Sequence, residues 1–169
     1  MQRRTWLKLG AVSATVLIVA GGTVALLQPG LQQGRLTTGA QNVFTSVARA
    51  ILDGTTLPKE PAERQAALAG LLERIDALVQ ALPPHAQAEL SQLLGLLGTG
   101  VGRRTLAGLA PDWRSASVIE VQQALQSMRT SRLALRLQSY QALHDIVGAA
   151  YFSDASTWPT LGYPGPLTI

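Results

Sequence analysis

Apolar residues recur every three or four positions along most of the chain, which is the pattern of amphipathic helices. A first helix is predicted from Thr38 to Gly54, and Thr38 and Gln41 have the spacing of a capping box. Its apolar stripe consists of Val43, Phe44, Val47 and Ile51. No stretch of the sequence alternates apolar and polar residues with β-branched enrichment, so the pattern does not predict a sheet.

Prolines delimit the second and third predicted helices. The second begins at Pro61, because a proline suits the first turn of a helix, and ends before Pro83 and Pro84. Its apolar positions are Leu68, Leu71, Leu72, Ile75, Leu78, Val79 and Leu82. The third carries Leu90, Leu93, Leu94 and Leu97 on one side. The glycine-rich residues 98–113 follow and are predicted to form a loop with a short helix.

The last predicted helix is the longest and runs from Val118 to about Ala150. Ser117 and Glu120 have capping-box spacing at its start. Its apolar positions include Val121, Leu125, Met128, Leu135, Leu143 and Val147. Together the segments predict an all-α fold, a small antiparallel bundle of four or five helices over residues 28–150.

An uncharged stretch of 19 residues, 9–27, precedes this bundle and predicts an apolar signal or membrane-anchor helix. A helix of that length spans about 28 Å, close to the ~30 Å hydrocarbon core of a bilayer. The residues before it resemble a twin-arginine export signal, with the pair of arginines, the aromatic residue, the leucine and the lysine at Arg3, Arg4, Trp6, Leu7 and Lys8. An ordinary Sec signal or a positive-inside anchor is the alternative.

Thr23-Val24-Ala25 is the candidate cleavage site of this segment. If it is not used, residues 1–27 tether the body to the outer face of the inner membrane. In both cases the body, from about Gln28 onward, is predicted to be periplasmic.

The basic character of the chain belongs largely to this N-terminus. The 169 residues carry 14 basic and 10 acidic side chains, and three of the basic ones lie in the first eight positions. The body therefore has 11 basic and 10 acidic residues and is nearly neutral. Because a nucleic-acid binder needs a basic face on its folded domain, no nucleic-acid partner is expected.

Few residues suggest chemistry of the chain's own. The sequence has no cysteine, which excludes a disulfide scaffold, a thiolate zinc site and an iron–sulfur cluster. His85 and His144 lie on different predicted helices and are expected at the surface rather than at a metal. The Gly98–Thr105 stretch lies between helices, so it predicts an interhelical loop rather than a phosphate-binding loop. No catalytic, cofactor-binding or metal-binding residue is predicted.

Arg129, Arg132 and Arg136 are spaced three and four residues apart, which would place them on one side of the long helix. Such a row is either an ordinary solvated face or a cationic strip that pairs with an acidic partner surface.

Aromatic residues concentrate at the C-terminus, where four of the chain's eight lie within residues 151–163. Interleaved prolines oppose a continued helix, so residues 151–169 are predicted to be an extended tail. Its aromatic side chains either fold back over the bundle or anchor a partner, and these two alternatives stay open. The candidate partner-binding residues are Tyr151, Phe152, Trp158, Tyr163, Pro164 and Pro166.

This tail, with Tyr151-Phe152, Trp158 and Leu161-Gly162-Tyr163-Pro164-Gly165-Pro166, is similar to the end of the gluconate 2-dehydrogenase subunit 3 family. The segment 44–54 is similar as well. Members of the family are small subunits of periplasmic flavin-dependent sugar and alcohol dehydrogenases. The resemblance implies a helical subunit without a cofactor of its own.

The same resemblance implies that the twin-arginine translocase exports the chain together with an FAD-bearing catalytic subunit that lacks a signal. In the family a membrane-anchored multi-haem cytochrome c often takes the electrons. The expected function is thus a non-catalytic small subunit that stabilises and co-exports a dehydrogenase. A free-standing, membrane-tethered helical binding protein for a lipid or envelope component is the alternative, and an enzyme in its own right ranks third.

Overall fold

The computed structural model describes residues 28–54 and 57–163. The predicted export segment, with Arg3, Arg4, Trp6, Leu7 and Lys8, lies outside these residues, as do Pro164 and Pro166. Within the described ranges the chain is mostly helical, so the all-α class is confirmed. None of the helices in this part combines the length and apolar character that crossing a membrane requires.

The elements are short strands β1 and β2 followed by helices α1 to α6, a π-helical turn and a C-terminal 3-10 helix. In chain order they are β1 (Leu31–Gln32), β2 (Arg35–Leu36), α1 (Thr38–Ile51), α2 (Pro61–Gln80), α3 (Pro84–Gly98), α4 (Gly100–Gly102), the π-helical turn (Arg103–Ala107), α5 (Val118–Arg129), α6 (Ala134–Phe152) and the 3-10 helix (Ala155–Leu161).

Helix α1 is the centre of the core. It packs against α2, α3, α5 and α6, and half of its 14 residues are buried. Phe44 and Val47 are fully buried on it, as the stripe predicted. Burial of such a side chain stabilises the fold by roughly 1.5–3 kcal/mol.

The strands form an antiparallel hairpin that the sequence pattern did not predict. Gln33 and Gly34 both have positive φ, which is the geometry of a two-residue hairpin turn. Leu31 and Leu36 pair across it and are buried. The backbone N–H of Gly30 donates to the Ser91 carbonyl at 3.0 Å, so the hairpin is anchored on α3.

One of the two predicted capping boxes is confirmed and the other is wrong. Ser117 and Glu120 exchange both capping hydrogen bonds at the start of α5. Helix α1 instead has Thr37 as its N-cap, without a side-chain cap. The Thr37 hydroxyl instead donates to the Gly30 carbonyl at 3.0 Å. It therefore holds the residues before the hairpin and does not cap the helix.

The single long helix predicted over 118–150 is wrong, since the structure has two helices separated by residues 130–133. The Thr130 hydroxyl donates to the Gln126 carbonyl at 3.0 Å, and the Ser131 hydroxyl accepts from the Leu133 N–H at 3.2 Å. Such local bonds compete with helical ones, and they end α5 and begin α6 here.

Candidate partner-docking site at the C-terminal end

The C-terminal end of α6 is closed by hydrogen bonds from Arg74 of α2 and from the segment that follows α6. The last carbonyls of a helix have no partner inside the helix and need donors from elsewhere. Arg74 Nε donates to the Ala150 carbonyl at 2.9 Å, and Thr157 Oγ1 donates to the Tyr151 carbonyl at 3.2 Å. The Trp158 indole N–H donates to the Phe152 carbonyl at 2.9 Å.

The extended conformation predicted for the tail is therefore wrong over most of its described part. Tyr151 and Phe152 form the last turn of α6, and a 3-10 helix follows from Ala155 to Leu161. Pro159 lies inside this 3-10 helix, where its missing N–H removes only one bond of a short, loosely bonded segment. Gly162 ends the segment with φ 71°, a conformation that glycine adopts without strain.

Asp154 begins the 3-10 helix and fixes it to the bundle. Its Oδ1 accepts from the backbone N–H of Ser156 at 3.0 Å and from the Ser156 hydroxyl at 2.7 Å. Its Oδ2 lies 3.2 Å from Arg74 Nη1 on α2. The Ser156 side-chain and backbone hydrogen bonds hold the pKa of Asp154 below its usual value, and the Arg74 charge lowers it further.

The structure divides the predicted aromatic anchors between the core and the surface. Tyr151 is buried and belongs to the hydrophobic core, so its ring is not available to a partner. Phe152 is 50% exposed and Tyr163 is 48% exposed. Trp158 is partly buried and packs edge to face against Tyr163, with ring centroids 5.4 Å apart. We call Phe152, Trp158 and Tyr163 the aromatic cluster.

The aromatic cluster is attached to the end of α6 by a hydrogen bond and a ring contact. The indole of Trp158 is fixed to α6 by its bond to the Phe152 carbonyl, and it carries the Tyr163 ring. The first alternative weighed for the aromatic residues, that the segment folds back over the bundle, is therefore correct for Trp158, while the rings of Phe152 and Tyr163 remain exposed. Anchoring of a partner stays a prediction. Exposed aromatic side chains held in place are the residues that dominate binding interfaces.

The two histidines are at the surface, as predicted. His144 stacks on Tyr140 with ring centroids 5.4 Å apart and contacts Asp145, while His85 is exposed near the start of α3. Among residues 28–54 and 57–163, no group of three or more histidine, aspartate or glutamate side chains could hold a metal ion.

The glycine-rich segment has a packing role that the sequence did not indicate. Its short helix α4 is capped by Thr99, whose hydroxyl accepts from the Gly102 N–H at 2.9 Å. Arg103 is buried and contacts Asp112 at 3.2 Å. The indole N–H of Trp113, also buried, donates to the Leu97 carbonyl at 2.8 Å. The segment therefore closes the core beside α3.

The break between α5 and α6 changes the predicted arginine row, because Arg129, Arg132 and Arg136 no longer share one helix face. Arg129 and Arg132 are exposed. Arg136 is partly buried, and its Nε donates to the Leu106 carbonyl at 2.7 Å.

A small open pocket that the sequence did not predict lies between α1, α2 and α5. Its volume is about 240 Å³, and its charged lining residues are Arg49, Asp53, Lys59 and Arg64. These four residues lie within residues 49–64, and Val118 of α5 completes the lining from a distant part of the sequence. Arg64 already donates to the carbonyls of Pro58 and Lys59, which gives it a structural role at the edge of this pocket.

Comparison of the chain with family models, with curated proteins and with solved structures finds no match.

Proposed function

We propose that this chain is a non-catalytic small subunit that stabilises and co-exports an FAD-dependent dehydrogenase subunit to the periplasm. Catalysis and the FAD would belong to the partner, and a multi-haem cytochrome c would complete the complex. The observation that carries the proposal is the aromatic cluster at the end of α6, whose Phe152 and Tyr163 are exposed while Trp158 is bonded to the Phe152 carbonyl. The family resemblance and the export-like N-terminus supply the class of partner.

The geometry of the cluster favours docking over a purely internal role. Phe152 and Tyr163 expose about half of their surface, although burying the exposed half of each ring would stabilise the fold by roughly 1 kcal/mol. Tyr163 also has a phenolic hydroxyl, so its ring offers apolar area and a polar tip to a partner. A partner that covers both rings would gain this burial without reordering the segment that holds them.

The export part of the proposal rests on the charge distribution. Removing the N-terminal basic residues leaves a body of 11 basic and 10 acidic side chains. A nearly neutral, charge-poor body suits a subunit that offers apolar surface to another chain. The twin-arginine translocase is the expected export partner, because Arg3-Arg4-Thr5-Trp6-Leu7-Lys8 resembles its signal.

The alternative is a free-standing, tethered binding protein for a lipid or envelope component. A cavity lined by apolar side chains would favour it. The pocket beside Arg49 is instead open and largely polar, as is a second one of about 460 Å³ beside the hairpin. The neighbouring gene discriminates further, since an FAD dehydrogenase with a G-x-G-x-x-G motif and no signal of its own supports the small-subunit proposal.

Export is tested by expressing the chain together with the FAD dehydrogenase subunit encoded by the neighbouring gene. The measured quantity is flavin-dependent dehydrogenase activity in the periplasm. Arg3→Lys with Arg4→Lys should abolish the periplasmic activity, because the translocase reads the arginine pair. Arg35→Lys with Arg114→Lys, at two exposed positions of the body, is the matched control and should leave it intact. Unchanged periplasmic activity without this chain, or with the Arg3/Arg4 variant, would overturn the proposal.

A further inference from the structure

Four arginines lie at the corner where α5 ends and α6 begins. Arg129 is the last residue of α5, Arg132 lies in the connection, and Arg136 is in the first turn of α6. Arg104 lies on the π-helical turn beside them. We call these four residues, together with Leu133, the arginine corner.

Arg136 brings the three elements of the corner together. Its Nε donates to the Leu106 carbonyl of the π-helical turn at 2.7 Å, and its Nη2 donates to the Ser127 hydroxyl of α5 at 2.8 Å. The π-helical turn also packs against both α5 and α6. The backbone segments that carry Arg104, Arg129 and Arg132 are therefore neighbours, and Arg136 links them. The side chains of these three arginines are exposed.

The parts of α5, α6 and the π-helical turn that form the corner contain no acidic residue. The sequence has no aspartate or glutamate between Glu120 and Asp145, nor between Thr99 and Pro111. Arg132 and Arg136 also flank the start of α6, where the helix dipole is positive and acidic residues would be favourable. Placing arginines here reinforces the positive potential, which is unfavourable for the isolated chain.

Leu133 adds an apolar side chain to the same corner. It is 66% exposed and lies between Arg132 and the first turn of α6 as the N-cap residue. A leucine beside exposed arginines suits a membrane surface, because the cations pair with lipid phosphates and the apolar side chain enters the headgroup boundary.

We propose that the arginine corner is a contact surface for an anionic phospholipid membrane. The guanidinium groups of Arg129 and Arg132 have no hydrogen-bonding or ionic partner within the described residues and can each bind a phosphate through two N–H groups. The corner would hold the body of the protein against the bilayer. This inference concerns residues outside the aromatic cluster and does not depend on the proposed dehydrogenase partner.

The test is co-sedimentation of the full chain with phosphatidylcholine vesicles, with and without phosphatidylglycerol. Because the N-terminal segment could bind both kinds of vesicle, the measured quantity is the ratio of the two partition coefficients. Arg129→Gln with Arg132→Gln should lower this ratio about 25-fold, at about fivefold per arginine near an anionic surface. Arg35→Gln with Lys59→Gln is the control, because it also removes two positive charges, at exposed positions outside the arginine corner. It should leave most of the preference for phosphatidylglycerol vesicles.

Leu133→Ser provides a second variant. It should weaken binding to anionic vesicles but leave the salt dependence of that binding unchanged, because the arginines are still present. Far-ultraviolet circular dichroism checks that each variant keeps the helical fold. An equal loss with the control pair, or an unchanged ratio in the Arg129/Arg132 variant, would overturn the proposal. It would also be overturned if the wild-type chain showed no preference for phosphatidylglycerol but bound soluble polyglutamate through the same arginines, because the corner would then recognise an acidic polypeptide.

Discussion

Single residues decide how closely the segments of this bundle can approach one another. Gly102 is the clearest case, since a Cβ at this position would collide with the carbonyl oxygen of Leu96. The neighbouring Gly98 has open space around its hypothetical Cβ. Two glycines four residues apart therefore have different roles, which their sequence context alone does not reveal.

We expect Gly102→Ala to destabilise the protein by about 1–3 kcal/mol, because the added methyl group must displace backbone. Gly98→Ala should be neutral or stabilising by up to about 1 kcal/mol, since alanine favours the helix. Urea denaturation followed by circular dichroism measures both. Equal effects of the two substitutions would show that the contact at Gly102 is not as close as described.

Asp154 gives a prediction that depends on pH. Its carboxylate is stabilised in the folded chain by Ser156 and by Arg74, so its pKa is lower folded than unfolded. The resulting stabilisation is complete above the unfolded pKa of about 4 and is lost as pH falls through the folded pKa. Asp154→Asn should therefore be less stable than wild type at neutral pH, and the two should converge below pH about 4.

Urea denaturation midpoints at neutral and acidic pH test this convergence. Asp53→Asn removes one carboxylate at an exposed position outside the ion pair and serves as the control. A stability difference between wild type and Asp154→Asn that persists unchanged at low pH would contradict the account.

At the scale of elements, hydrophobic periodicity predicted the helices well and the connections poorly. The stripes of α1, α2 and α3 appear in the core, with Val43, Ile75 and Leu94 all buried. The break at residues 130–133 was missed, because hydroxyl side chains that bond the local backbone leave the apolar spacing intact. The hairpin was missed because strands of two residues are too short for a period to show.

The candidate site was predictable in composition but not in conformation. The cluster of aromatic residues and prolines is visible in the sequence, and it identified Phe152, Trp158 and Tyr163. The burial of Tyr151 was not predicted, because it depends on tertiary packing. Tyr151 lies on the face of α6 that carries the buried residues Leu143 and Val147. The contact with Arg74 joins residues 80 positions apart, which no local pattern could indicate.

The two indole hydrogen bonds provide a prediction about helix ends. Trp113→Phe leaves the Leu97 carbonyl unpaired in a buried position and should cost about 1–3 kcal/mol. Trp158→Phe keeps an aromatic ring against Tyr163 but loses a bond at an exposed site, so it should cost about 0.5–1 kcal/mol. Chemical denaturation of both variants tests this order, and a larger loss for Trp158→Phe would contradict it.

At the scale of the whole molecule, both ends of the described chain are attached to the bundle. The hairpin is fixed to α3 through Ser91, whose carbonyl and hydroxyl accept from Gly30 and Leu31. The C-terminal segment is fixed to α2 through Arg74 and Asp154. The start of the body and the aromatic cluster therefore hold defined positions on the bundle.

The central claim is that the aromatic cluster binds a flavoprotein. Purification of the tagged full chain from its natural source, followed by the flavin absorbance spectrum, tests this most directly. We expect bound flavin in stoichiometric amount with the wild-type chain. Phe152→Ser with Tyr163→Ser should weaken the complex at least tenfold, because truncating an aromatic anchor costs about 1 kcal/mol or more and two such losses amount to about 30-fold.

Val101→Ser with Ile119→Ser removes two other exposed apolar side chains and is the matched control. It should retain the flavin. Absence of flavin from the wild-type preparation, or equal flavin in the Phe152/Tyr163 variant, would contradict the account.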